Sequence, residues 1–136
     1  MKKLLKISSV LAIGAGIVFV AGGAWGIGFT YQNVAREKIV TPSDASIPNK
    51  PVRGPFTLKS QADVIRKHAL EASDGKVYAE MPRDADRGTW VTATMLTTAL
   101  NLGILTYVFS GLVVLFGCIS IWTGYIFYAL SRRGVK

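Results

Sequence analysis

The sequence is poor in the residues that make chemistry. It has one histidine, His68, and one cysteine, Cys118. A lone cysteine excludes an intramolecular disulfide and a cysteine-rich zinc site. Cys118 lies inside an apolar run, which assigns it to packing. No phosphate-binding loop, dinucleotide fingerprint or nucleophile-elbow motif occurs. Acids are absent from both ends of the chain: all eight fall between Glu37 and Asp86. Charge of either sign is missing from two long stretches, Ile7–Thr30 and Trp90–Leu130.

What remains is organised in blocks. A soluble domain mixes apolar and polar residues at short periods; here the apolar half is concentrated near the two ends, which points to a membrane protein. The first uncharged run is 24 residues, roughly 36 Å as a helix, enough to cross a ~30 Å hydrocarbon core. Its start, "MKKLLK", also fits the basic region of a secretory signal. The run continues too far for that, through "AWGIGFTY", and Trp25, Phe29 and Tyr31 resemble an interfacial aromatic belt. An uncleaved anchor is the expectation. The second run, roughly 61 Å of helix, is too long for one crossing and too short for two. Its threonine-rich first part, 90–105, is expected at or above the outer interface, and 106–130 is the second crossing. The two parts are compatible with one continuous helix.

Basic residues at both ends place both termini in the cytoplasm, by the positive-inside rule. The expected order is a tail at 1–6, a transmembrane helix at 7–31, and an extracytoplasmic segment at 32–89. The threonine-rich helix at 90–105, the second crossing at 106–130 and a tail at 131–136 follow. The fold class is therefore an all-α membrane protein, two transmembrane helices in a hairpin with a small, mostly helical outer segment. The net charge of +8 comes mostly from Lys2, Lys3, Lys6, Arg132, Arg133 and Lys136. Such tails suit an anionic lipid surface. A nucleic-acid groove would gather its basic residues on one folded face with aromatics between them, so no nucleic-acid partner is expected.

The second run carries a seven-residue repeat of small residues. Gly103, Ser110, Gly117 and Gly124 recur at that spacing, with Thr106, Val113 and Ser120 between them. A heptad keeps one seam of a helix towards one partner. Small residues on it let backbones approach closely in lipid. On the first helix Gly22 and Gly26 form a G-x-x-x-G pair, with Ala12 and Ala15 on the same side. The seam serves either the hairpin itself or docking onto another protein or another copy.

Between the runs, "SIPNKPVRGPF" is a proline-rich linker. A helix follows over about 61–73, capped by Ser60 with Asp63 in its first turn and ended by "SDG". "KVYAEM" reads as an extended piece. With few large apolar residues, this segment is too small for a core of its own. It needs the membrane surface, the threonine-rich helix or a partner. The stretch "QADVIRKHALEASDGKVYAEM" is the most varied in the chain. Gln61, Ile65, His68, Glu71, Tyr78 and Glu80 are its candidate partner-binding residues. His68 and Glu71, three apart on a helix, face the same side. A stable metal site needs three or four ligands, so neither a metal nor another cofactor is expected and no catalytic residue is assigned.

"KPVRGPFTLKSQADVIRKHALEASDGKVYAEM" resembles the loop of a family of small two-span actinobacterial membrane proteins, which show a similar "K-P-V-x-G-P-F-T … H-A-L-E … G-K-T-Y-A-E-L" run. "AREKIVTPSDAS" and the long second helix are similar too. Val77 stands where the family has threonine, and "RGTW" precedes the second run where a small polar turn is usual. Such proteins often carry the label of an aromatic-ring-opening dioxygenase. That chemistry generally uses a redox metal on two histidines and a carboxylate, and this chain has one histidine. The resemblance implies architecture and no mechanism. Three function classes follow. The leading one is a non-enzymatic accessory or assembly subunit of a larger membrane or cell-envelope complex. The others are a self-associating membrane sensor or ligand- or lipid-binding protein, and a His68-dependent metalloenzyme.

Overall fold

The computed structural model describes residues 1–133; positions 134–136, and with them the Lys136 end of the expected tail, lie outside the described residues. The described chain is all-helical. Helix α1 spans Lys2–Arg36, α2 Pro55–Ala72 and α3 Gly88–Arg133, with a short 3₁₀ turn at Tyr78–Glu80. Helix α3 is unbroken, so the threonine-rich part and the apolar part are one helix. Helices α1 and α3 are both long and apolar enough to cross a membrane. The described residues divide into two compact units, residues 1–29 with 108–133, and residues 30–107.

In the first unit α1 and α3 pack antiparallel along small residues. Ser9, Gly16 and Gly23 are buried on α1, and Ser110, Gly117, Gly124 and Ser131 on α3. Both sets recur every seven residues, the spacing that holds one face towards one partner. The approach is close. A β-carbon on Gly16 would lie 2.6 Å from the Gly117 carbonyl oxygen, and one on Gly23 would lie 2.7 Å from that of Ser110. A β-carbon on Gly124 would lie 2.9 Å from the Ser9 carbonyl oxygen. The Ser120 hydroxyl donates across the pair to the Ala12 carbonyl at 2.8 Å.

The α1 side of this seam differs from the expected G-x-x-x-G surface. Gly22 is exposed with open space where its β-carbon would be; Gly26 sits over the Ser110 side chain, while Ala15 is exposed. Thr106 is also off the seam: it is exposed and its hydroxyl bonds back to the Leu102 carbonyl. Gly103 seats Leu58, whose Cδ1 would lie 3.3 Å from an added β-carbon. Cys118 is exposed rather than packed.

Large side chains occupy the other faces. Val10, Leu11, Ile17 and Val18 on α1, and Phe109, Leu115, Phe116 and Trp122 on α3, are exposed. Only 11% of the most apolar window of each helix is buried. Soluble monomers rarely expose contiguous apolar patches beyond a few hundred Å², so these surfaces are of the kind that a bilayer or a protein partner covers.

The second unit has a core of its own. Helix α1 ends at Arg36, and Lys38 turns the chain with a φ of 52°. The segment to Val52 folds back around Thr41, which is fully buried. Its amide donates to the Lys50 carbonyl at 2.9 Å, and its hydroxyl accepts from the Lys50 amide at 3.0 Å. Helix α2 starts earlier than expected, at Pro55. Proline suits the first helical position because its missing N–H has no intrahelical partner to lose. The Thr57 hydroxyl accepts from the amides of Arg53 and Gly54 and completes the cap. Ser60, the expected cap, is buried inside α2; its hydroxyl accepts from the Ile47 amide at 2.9 Å.

Val52, Leu58, Ala62 and Leu100 form the main cluster, joined by Val34, Ile39, Ile65, Ile104 and Tyr107. A second cluster gathers Ala69, Trp90 and Ala93. The Trp90 indole donates to Ser73 Oγ and the Lys76 carbonyl, both at 3.0 Å, tying the end of α2 to the start of α3. The segment between the two long helices is thus ordered by the last turns of α1 and the threonine-rich part of α3. Residues 78–80 form the 3₁₀ turn rather than an extended piece.

Candidate functional site

Helix α2 presents its chemistry on two sides. On the exposed side His68 Nε2 donates to Asp44 Oδ2 at 2.9 Å, and Lys67 Nζ reaches the same oxygen at 3.0 Å. Glu71 lies 3.9 Å from Lys67, and Lys59 pairs with Asp63 two turns earlier. The hydrogen bond from His68, then that from Lys67, holds the Asp44 carboxyl below its ordinary 3.8, at about 2. Lys67 is pushed up, chiefly by its hydrogen bond to Asp44. The arrangement is a mixed-charge lattice on an open surface, in which His68 and Lys67 share the Asp44 carboxylate. Among the described residues no three His, Cys, Asp or Glu side chains gather as a metal-ion site.

The inward side of α2 borders an apolar groove of about 500 Å³. Val34 and Ile39, Leu58 and Ile65, and Leu96 and Leu100 supply its walls from three successive parts of the chain. Gln61 and Glu37 are the polar side chains in the lining. Gln61 Oε1 is buried and accepts no hydrogen bond among the described residues. A buried carbonyl without a donor costs ~1–3 kcal/mol.

The six candidate binding residues therefore do not form one site. Gln61 and Ile65 belong to the groove, and His68 and Glu71 to the charged surface. Tyr78 lies under the Arg87 guanidinium, 4.8 Å from ring centre to Cζ. Glu80 accepts from the Val77 amide at 3.0 Å and holds the 3₁₀ turn. Asp44 and Lys67 complete the charged surface, and Leu96 and Glu37 the groove, without any spacing that marks them in the sequence. No family model, curated protein or solved structure matches the chain.

Proposed function

We propose that the chain is a two-span protein of the cytoplasmic membrane with residues 32–89 outside. We assign it a non-enzymatic role, as an accessory or assembly subunit of a larger membrane or cell-envelope complex. It stands with the two-span actinobacterial proteins that its loop resembles. The observation that carries the membrane reading is the outward apolar surface of α1 and α3, of which only 11% of the most apolar windows is buried. The basic residues at 2–6 and at 132–133 support a cytoplasmic placement of both ends.

The assembly reading rests on how the polar groups are used. His68, Lys67 and Asp44 hold one another, which gives a defined charge pattern on an exposed surface. The small-residue seam is spent within the hairpin, so partners meet the chain through the outer helix faces and the exposed side of α2. Purification from the native membrane in mild detergent tests this. The expected result is co-migration with other membrane proteins, weakened by Lys67→Glu combined with Glu71→Lys. A lone monomer contradicts the reading. A homodimer trapped through the exposed Cys118 favours the self-associating sensor instead.

A further inference from the structure

We propose that the groove between α2, the end of α1 and the outer part of α3 holds one acyl chain of a bilayer lipid whose head carries N–H donors. The proposal rests on the membrane reading above. Its volume, about 500 Å³, falls within the roughly 300–1,000 Å³ of small-molecule sites. Apolar walls select an apolar body. The polar side chains in the lining offer two acceptors, the buried and unpartnered Gln61 Oε1 and the Glu37 carboxylate, beside the Gln61 amide N–H groups. Two acceptors select a head that donates, and the carboxylate favours a cationic amine over a head bearing only anionic oxygens. An amine supplies the hydrogen bond that Gln61 lacks once a turn of the side chain brings the buried Oε1 to the groove.

The bilayer is the source that the chain itself suggests. Val34, in the groove wall, lies on the continuous helix α1, within the uncharged run that ends at Arg36. On α3 the wall residues Leu96 and Leu100 belong to the same helix that carries the second uncharged run. Leu96 is half exposed, so the groove has an open side by which a chain can enter.

The experiment uses the whole protein in phosphatidylcholine nanodiscs. These carry a trace of either diazirine-tailed phosphatidylethanolamine, which has N–H donors, or diazirine-tailed phosphatidylcholine, which has none. Photolabelled positions are read by mass spectrometry. The ethanolamine probe is expected on Leu58, Ile65 and Leu96. The choline probe should label them about threefold to tenfold less, the worth of one hydrogen bond. Gln61→Leu combined with Glu37→Leu should erase that preference, and Ala99→Phe, at the groove lining, should lower groove labelling by both probes. Equal labelling by the two probes in the wild type overturns the proposal, as does a preference that survives the double substitution at Gln61 and Glu37. Labels on Phe109, Phe116 and Trp122 without labels in the groove sink this proposal and leave the membrane reading standing. No label on those three residues from either probe removes both.

Discussion

Asp44 does more than its position in a polar loop suggests. It reaches α2 from 24 residues away and takes hydrogen bonds from His68 and Lys67 on one oxygen. Its carboxyl therefore stays ionised to about pH 2, below the ordinary 3.8. Because the folded value is the lower one, the stabilising contribution is present above the ordinary value and fades as pH falls towards 2. The group is exposed, so the effect is on local order more than on overall stability. Carbon-13 NMR of labelled aspartates should show one midpoint near 2. His68→Ala should raise it most, with Lys67→Ala next, in the order of their contributions. A midpoint at the ordinary value in the wild type contradicts the contact. For His68 this is a structural occupation: the residue that first invites a catalytic reading orients a loop.

At the scale of elements, the glycines of the seam decide how closely α1 and α3 approach. A β-carbon on Gly117 would lie 2.7 Å from the Gly16 carbonyl and 2.8 Å from the Val20 amide, both backbone atoms that cannot step aside. Gly117→Leu should separate the helices. Overpacking of this kind costs ~1–3 kcal/mol. Cross-linking of Ala12→Cys with Ser120→Cys by a short bismaleimide, in a Cys118→Ser background, measures it. The yield should fall about tenfold on Gly117→Leu and hold on Gly22→Leu, because Gly22 has open space around it. Equal yields in the two variants would contradict the seam.

The α3 half of that seam is legible in the sequence because small residues stand out there against Leu, Phe and Ile. On α1 glycine is abundant, and the adjacent pair Gly22 and Gly26 outcompetes the true row. That row, Ser9, Gly16 and Gly23, is visible only if serine is counted as small. The start of α2 is hidden for a related reason. "GPF" inside a proline-rich stretch reads as a turn, while Ser60 and Asp63 imitate a helix start. Ser60 instead bonds to Ile47, a contact between residues 13 apart that no local spacing encodes. The groove is illegible on the same ground, since its walls come from three separate segments. The two long helices are legible because uncharged length alone defines them.

At the scale of the whole molecule, the account joins an apolar helix pair to a unit with its own small core. Two uncharged runs flanked by basic residues, with all the acids between them, set the expected orientation: ends inside, residues 32–89 outside. Each finer statement, from the recognition surface on α2 to the lipid in the groove, depends on that orientation. Single cysteines in a Cys118→Ser background, probed in intact cells with a membrane-impermeant maleimide, test it most directly. Glu71→Cys should be labelled in intact cells, and Lys3→Cys only after the membrane is permeabilised. Protection of Glu71→Cys in intact cells, or labelling of Lys3→Cys in them, would contradict the account.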